Sequence, residues 1–212
     1  MSSELGRVQR RQQRTRAQLT RAAAQIIAEK GVEGVRLREV TDAADVGFGS
    51  FYNYFGSKED LVEAVVLDLM STLAGTLIAH VARFDDPAEA ASAAHRWFVR
   101  NATEDPATAR LMVNLDQADV QFQQRILPFG RRLLESGVEQ GRFIPMSSPV
   151  TTLTYVVGAT IAVTRAVLDG RLGAQAESET AEVLLHALGL DAAQAREIAY
   201  RELPSVALLP ST

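Results

Sequence analysis

The chain has 212 residues, of which 47% are apolar and 23% charged, with a net charge of −4. This composition is typical of a folded globular protein rather than a disordered one. The sequence contains no cysteine, which excludes disulfides, thiolate metal sites and cysteine nucleophiles and agrees with a cytoplasmic location. The polar, arginine-rich start does not resemble a secretory leader, and the apolar run at 150–163 is expected to be too short to span a bilayer.

Charge is unevenly distributed along the chain. Residues 1–62 have a net charge of +2, whereas the remainder has −6. A basic N-terminal segment followed by an acidic remainder is typical of a polyanion-binding module joined to a second domain. A solvated, charged N-terminal tail would give the same pattern, so charge alone does not decide between the two.

Strand patterns are nearly absent, and glycines and prolines separate about nine or ten helical segments, which predicts an all-α fold. A basic arm at 1–11 is expected to precede a first helix at 12–30. An apolar stripe that includes Leu19 and Ile26 marks one face of this helix, and Gly31 ends it.

Two short helices are predicted next, at 36–44 and 48–55, joined by a tight turn that contains glycine. This arrangement is a helix-turn-helix, in which the second helix enters the major groove of DNA. Phe51 and Phe55 are four residues apart and are expected to face the core. The outer face is then small and polar with aromatic hydroxyls, and we expect it to contact DNA through Gly49, Ser50, Tyr52, Asn53 and Tyr54.

A long helix to about residue 84 is expected after a sequence typical of a capping box, in which Ser57 is followed three residues later by Asp60. Lys58, in its first turn, is placed to bind phosphate. Further helices are expected at 87–103, 106–115, 119–140, 149–169, 178–188 and 192–202, with a frayed tail at 204–212.

The stretch 31–61, with its core VGFGSFYNYFGSKEDL at 46–61, resembles the DNA-binding signature of the TetR family of transcriptional regulators. The resemblance implies a three-helix helix-turn-helix domain at 1–56 and an effector-binding and dimerisation domain at 57–203. It also implies DNA contacts by Arg38, Ser50, Tyr52 and Lys58, and it places Tyr54 where histidine is common.

Four positions depart from the family pattern. Arg36 and Gly47 replace residues that usually cap the two short helices, Thr41 replaces an alanine, and Phe48 is unusual at the edge of the groove. These departures bear on which operator is bound rather than on DNA binding itself. Arg36, Gly47 and Phe48 therefore remain in the expected set of DNA-contacting residues.

The predicted helix at 149–169 is apolar almost all round, and a second apolar stripe follows at 178–188. In the TetR-like arrangement the last two long helices of each subunit form a four-helix dimer interface. An intramolecular core would give the same pattern. The interface residues that we expect are Leu153, Val157, Ile161, Leu168, Val183, Leu184 and His186.

Apolar side chains with a few polar neighbours lie between these segments and could line a ligand pocket or form ordinary core. The residues expected to line a pocket are His95, Trp97, Phe98, Asn101, Met112, Phe122, Phe129 and Tyr155. The family resemblance supplies most of the case for a small hydrophobic effector. The three histidines lack paired metal-ligand spacing, so neither a metal nor a cofactor is expected.

The sequence therefore predicts a cytoplasmic, homodimeric repressor that binds a palindromic double-stranded operator and is released by a small molecule. No enzyme is predicted, because the sequence contains neither a glycine-rich phosphate loop nor a GxSxG motif. Two alternatives remain open. One is a ligand-independent DNA-binding regulator or architectural protein, and the other is a ligand-binding or scaffolding protein whose helix-turn-helix no longer binds DNA.

Overall fold

The computed structural model describes residues 2–114 and 126–204 of the chain. Within these ranges it contains ten α-helices and no strand, which confirms the predicted all-α class. The chain divides into two compact units, Met1–Leu69 and Met70–Thr212, and each is described by itself below. Phe122 lies outside the described residues, as does the side chain of Met112.

The N-terminal unit is built from three helices and the first turns of a fourth: α1 (Ser2–Lys30), α2 (Leu37–Ala43), α3 (Phe48–Phe51) and α4 (Lys58–Val81). Because α1 begins at Ser2, residues 2–11 of the expected arm are part of this helix. Leu19 and Ile26 are buried, as the apolar stripe predicts. Gly31 ends α1 with a φ of 72°, a conformation that glycine adopts without steric cost.

The turn between α2 and α3 confirms the predicted helix-turn-helix break. Asp45 adopts a φ of 53°, a left-handed conformation that aspartate tolerates better than most residues. The amide of Val46 then donates to the carbonyl of Thr41 at 2.9 Å. Thr41 is fully buried, and its Oγ1 donates to the carbonyl of Arg38 at 2.9 Å, so the threonine at this unusual position fixes the end of α2.

The C-terminal unit contains the end of α4 and six further helices: α5 (Pro87–Glu104), α6 (Pro106–Asn114), α7 (Leu127–Glu139), α8 (Pro149–Leu168), α9 (Ala176–Ala187) and α10 (Ala192–Tyr200). Helix α5 is central, because it packs against each of the other five. Small buried residues such as Ala88 and Ala93 let its neighbours approach closely. Asp86 caps α5 by accepting from the amide of Ala88, and Pro87 occupies the first turn.

The core of the C-terminal unit contains two of the expected interface residues. Leu153 and Leu184 are each only 7% exposed and lie in one apolar cluster with Leu134 and Leu185. A Cβ on Gly130 would lie 2.8 Å from the Leu153 methyl carbons, so α7 and α8 meet closely there. Leu153 and Leu184 therefore stabilise the subunit itself.

Helices α4 and α8 are long and apolar enough to cross a membrane by length and composition alone. Helix α8 has 20 residues, so the expectation that its apolar run is too short for a span is wrong. Core helices of globular proteins pass the same test. Helix α8 packs against α5 and α7, and Thr160 and Thr164 are buried on it, while 28% of its most apolar 18-residue stretch is buried within the subunit.

Candidate functional site

The inner face of α3 is fixed by aromatic packing. Phe51 and Phe55 are buried, and their rings stack with centroids 5.7 Å apart. The guanidinium of Arg16, on α1, lies 4.7 Å from the centroid of Phe55. The sequence indicated the two phenylalanines but not Arg16, because a cation that packs on an aromatic ring across two helices leaves no local pattern.

The outer face of α3 and of the turn after it is accessible, as expected for a DNA-contacting surface. Phe48 is 44% exposed and Tyr52 is 56% exposed. Ser50 and Asn53 are also exposed, whereas Tyr54 is only half-exposed. Helix α3 ends at Phe51 rather than near residue 55, so Tyr52, Asn53 and Tyr54 lie in the turn that follows it.

Arg38 and Phe48 come together across the turn between the two short helices. The guanidinium of Arg38 lies 6.0 Å from the centroid of the Phe48 ring. Phe48 also makes an edge-to-face contact with Tyr52, at a centroid distance of 6.2 Å and an angle of 83°. Arg38 is exposed, and it forms no hydrogen bond or ion pair with any residue of the described ranges. Its donors are therefore available to a partner.

The two glycines that flank Phe48 are not required by the fold. Neither Gly47 nor Gly49 has a positive φ. A Cβ at Gly49 would meet nothing within 4 Å, and one at Gly47 would meet only the Ser50 hydroxyl at 3.7 Å. Gly49 lies within α3, where glycine costs up to roughly 1 kcal/mol relative to alanine, whereas Gly47 is the N-cap residue, a position that favours glycine over alanine. A stability cost without a structural reason is typical of a surface that a partner approaches closely.

The cations around this face differ in their availability. Arg36 donates to the carbonyl of Glu33 at 2.8 Å and so anchors the chain before α2. Lys30 is paired with Glu39. Lys58, in contrast, forms no hydrogen bond or ion pair within the described part of the chain. Arg38 and Lys58 are therefore better placed to bind phosphate or bases than Arg36 is.

The start of α4 confirms the predicted capping box. The Ser57 hydroxyl accepts from the amide of Asp60 at 3.0 Å, and the Asp60 carboxylate accepts from the amide of Gly56 at 3.1 Å. These bonds satisfy amides that would otherwise lack a partner at the helix start. They also fix the backbone at Lys58, the first residue of the helix.

In the C-terminal unit, His95 is a buried link between helices. Its Nδ1 lies 2.9 Å from the Thr160 hydroxyl on α8, and its Nε2 lies 2.6 Å from the Thr180 hydroxyl on α9. Burial lowers the pKa of His95 to about 4, with Glu177 opposing this shift and Arg96 adding to it. Both ring nitrogens already have partners, which makes His95 a poor candidate for a direct ligand contact.

Four buried polar atoms have no hydrogen-bond partner among the residues that the structure describes, namely the Nδ1 of His80, the Oγ of Ser92, the Nε of Arg96 and the indole Nε1 of Trp97. Trp97 and His80 are 6% and 3% exposed. Burial, together with Arg83 and Arg100, lowers the pKa of His80, which favours a neutral ring. Trp97 was expected near a ligand, whereas no pattern in the sequence indicated His80.

The remaining expected pocket residues differ in their surroundings. Asn101 is buried and donates to the carbonyl of Trp97 at 2.8 Å, while Phe98 and Phe129 are half-buried. Tyr155, which was expected to line a pocket, is 71% exposed in the subunit. An open groove of about 350 Å³ contains none of the expected residues and is lined by Leu127, Pro128, Arg131, Arg132, Glu135 and Val150.

The outward faces of α8 and α9 expose large apolar side chains. Tyr155 is 71% exposed and Val183 is 67% exposed. His186 is also exposed, and its Nδ1 lies 3.1 Å from the carbonyl of Leu190. Three further residues of the expected interface are half-buried, namely Val157, Ile161 and Leu168.

Comparison with known proteins gives matches to both units. Residues 19–65 match the family described as bacterial regulatory proteins, tetR family, and residues 86–201 match the tetracyclin repressor-like C-terminal domain. The crystal structure of RolR in complex with resorcinol is 32% identical in sequence, with a TM-score of 0.76. That match covers 93% of this chain and 99% of RolR.

Two curated repressors are similar over a shorter stretch. KstR2 of Mycolicibacterium smegmatis is 37% identical over 60 residues, which is 28% of this chain and 29% of that protein. DhaR of Mycobacterium sp. strain GP1 is 36% identical over 66 residues, which is 29% of this chain and 33% of that protein. The match thus spans no more than a third of either repressor.

The matches of both units to regulator families define the class of protein as a bacterial transcriptional regulator. With its two family matches and its likeness to RolR over nearly the whole length, the chain belongs to the TetR family of bacterial regulatory proteins.

Proposed function

We propose that this protein is a cytoplasmic transcriptional repressor that binds a palindromic operator as a homodimer and is released by a small effector. The observation that carries the DNA-binding part is the outer face of α3, where Phe48 and Tyr52 are exposed and the nearby Arg38 and Lys58 lack partners among the described residues. The names of KstR2 and DhaR as repressors support repression.

The proposed DNA-contacting residues have three kinds of contribution. Small and polar residues on and after α3 would approach base edges, cations would bind phosphate or guanine, and aromatic side chains would contact phosphate or thymine methyl groups. Arg36 would act through the backbone that it anchors. The full set is Arg36, Arg38, Gly47, Phe48, Gly49, Ser50, Tyr52, Asn53, Tyr54 and Lys58.

Selection of duplexes from a random library by the full-length protein tests this proposal. The selected DNA should contain two inverted half-sites separated by about 34 Å or a multiple of it. Lys58→Ala should weaken binding to every selected duplex and reduce the dependence of log K on log salt by about 1. Arg171→Ala, which removes an exposed cation of the C-terminal unit that pairs with Asp169, is the matched control and should change neither.

The same selection distinguishes the alternatives. Binding without any enriched sequence would favour an architectural protein. Absence of binding would contradict the proposal and favour a scaffolding protein whose helix-turn-helix is inactive.

Dimerisation is proposed because a palindromic operator requires a two-fold axis in the protein that binds it. The exposed apolar faces of α8 and α9 are the surfaces that suit it. We propose Val157, Ile161, Leu168, Val183 and His186 as interface residues, joined by Tyr155, whose exposure on α8 places it outside the subunit core.

For the effector we propose a small neutral molecule with hydroxyl groups. RolR, the relative described above, was crystallised with resorcinol. The buried Trp97 Nε1 could donate to a hydroxyl oxygen, and a neutral His80 Nδ1 could donate or accept. Burial of an unsatisfied donor costs on the order of 1–3 kcal/mol, which a ligand hydroxyl would recover.

Resorcinol is a suitable first probe of this effector site. It should raise the unfolding temperature of the free protein and weaken binding to the selected duplex. Trp97→Phe should reduce that response at least several-fold while leaving DNA affinity without resorcinol unchanged. DNA affinity that no neutral phenol changes would instead favour a ligand-independent regulator.

A further inference from the structure

We propose that Arg38 and Phe48 together form a recognition pair that selects a thymine with a guanine no more than two base-pair steps away in each operator half-site. The inference rests on the proposed DNA-binding function and specifies what the recognition surface selects. Both side chains are exposed, and the guanidinium of Arg38 lies 6.0 Å from the centroid of the Phe48 ring.

Phe48 is the large exposed side chain at the start of α3. It lies between Gly47 and Gly49, and neither glycine is needed for backbone conformation or packing. The core contacts of α3 are made instead by Phe51, which is fully buried. At the start of this helix, DNA in the major groove would therefore contact an aromatic ring flanked by two residues without side chains.

The chemistry of the two side chains identifies the bases. In the major groove thymine alone presents a methyl group, and a phenylalanine ring makes apolar contact with it. Arginine binds the O6 and N7 acceptors of guanine with two hydrogen bonds. The guanidinium of Arg38 has no other partner in the described ranges, so both bonds remain possible.

The distance between the two groups limits how far apart the two bases can lie. Base pairs are spaced about 3.4 Å apart along the helix axis. The 6.0 Å between the Arg38 guanidinium and the Phe48 ring centroid therefore corresponds to no more than two steps. Phe48 also makes an edge-to-face contact with Tyr52 at a centroid distance of 6.2 Å, which restricts the positions that its ring can take.

A role for Phe48 in stability alone predicts a different result. In that case Phe48→Ala would lower the unfolding temperature, and it would weaken binding to all duplexes equally. Only a direct contact makes the effect of the protein variant depend on one methyl group of the DNA.

The test uses the full-length protein and a duplex that it selects from a random library. Each thymine is replaced in turn by deoxyuridine, which removes only the methyl group. For the wild-type protein one position per half-site should lose affinity roughly fourfold, the value expected for one buried methyl group. For Phe48→Ala the same replacement should have no effect.

Tyr200→Ala is the matched control, because Tyr200 is also 44% exposed and has the guanidinium of Arg196 5.3 Å from its ring. This variant should lose as much affinity as the wild-type protein does when the thymine is replaced by deoxyuridine.

In a second set of duplexes, 7-deazaguanine replaces each guanine within two steps of that thymine. The wild-type protein should lose affinity at least about fivefold, and Arg38→Ala should not respond.

The inference would be overturned if, at every thymine, replacement by deoxyuridine reduced the affinity of the wild-type protein and of Phe48→Ala equally. The proposed function would remain intact in that case. If the sensitive guanine lay more than two steps from the sensitive thymine, the pair would not act as one unit and the inference would be wrong. Failure to select any duplex would remove both the inference and the DNA-binding proposal.

Discussion

The Nδ1 of His95 lies 2.9 Å from the Oγ1 of Thr160, so a buried imidazole joins α5 to α8. The Thr160 hydroxyl is also 2.8 Å from the carbonyl of Val156, and the Thr180 hydroxyl on the other side of the ring contacts the carbonyl of Ala176. A neutral imidazole has a single N–H. One of the two threonines must therefore donate to the ring instead of to its own helix.

Stability should fall as pH decreases from 6.5 toward 4. The pKa of His95 is about 4 in the folded protein and about 6.5 when unfolded, so the unfolded chain binds more protons in this window. Between pH 7 and pH 5 the free energy of unfolding should decrease by about 2 kcal/mol. Burial also lowers the pKa of His80, so His80 adds to this decrease in the free energy of unfolding.

Urea unfolding at the two pH values measures this effect, and His95→Gln should remove most of the contribution of His95. His186→Gln, at an exposed position, is the control and should behave as the wild type does. An identical pH dependence in His95→Gln and wild-type protein would contradict the prediction.

Asp86→Ala should destabilise the C-terminal unit by about 2 kcal/mol, because Asp86 has two roles. It caps α5 through the amide of Ala88, and it receives two hydrogen bonds from Arg142 at 2.9 and 2.8 Å. Loss of the cap accounts for about 1 kcal/mol, and loss of a partly buried, bidentate pair accounts for roughly as much.

Asp191→Ala provides the comparison for that measurement. Asp191 caps α10 by accepting from the amide of Gln194 at 2.9 Å, and no ion pair with it is present in the described part of the chain. Its loss should cost only about 1 kcal/mol. If the two variants unfold at the same urea concentration, the Arg142 pair contributes nothing.

Gly49→Ala should make the protein more stable and weaken its binding to DNA. The added methyl group meets nothing within 4 Å, so the variant should gain roughly 0.5–1 kcal/mol from the better helix propensity of alanine. The same methyl group keeps the helix backbone away from the bases. Thermal unfolding and binding to the selected duplex measure the two effects.

Gly75→Ala is the control for that variant, because Gly75 lies within α4 and its Cβ would also meet nothing within 4 Å. It should gain similar stability without loss of DNA affinity. Stronger DNA binding by Gly49→Ala would show that close approach at this residue is not needed.

Val183→Glu should convert the protein to a monomer. Val183 is 67% exposed on the apolar face that we propose as the interface, and burial of an unpaired carboxylate there would be strongly unfavourable. Ile144→Glu, at a residue that is 54% exposed outside α8 and α9, should stay dimeric. Sedimentation velocity distinguishes the two, and a dimeric Val183→Glu would place the interface elsewhere.

The parts of the fold that follow from local sequence were predictable, and those that depend on distant residues were not. The turn at Asp45 and the cap at Ser57 involve neighbours, so their patterns were visible. On α8, which is apolar almost all round, periodicity could not show that Leu153 faces the core while Tyr155 faces outward. The partners of His95 lie 65 and 85 residues further along the chain.

Because the two glycines beside Phe48 are not needed for packing, residues of the recognition surface can change without changing the fold. A residue that makes few packing contacts and stands on a bare backbone can be exchanged with little risk of unfolding, since surface substitutions usually change stability by less than about 0.5 kcal/mol. Changes at residue 48 could therefore redirect the regulator to a different operator in a single mutational step. The genes under its control can diverge faster than its architecture.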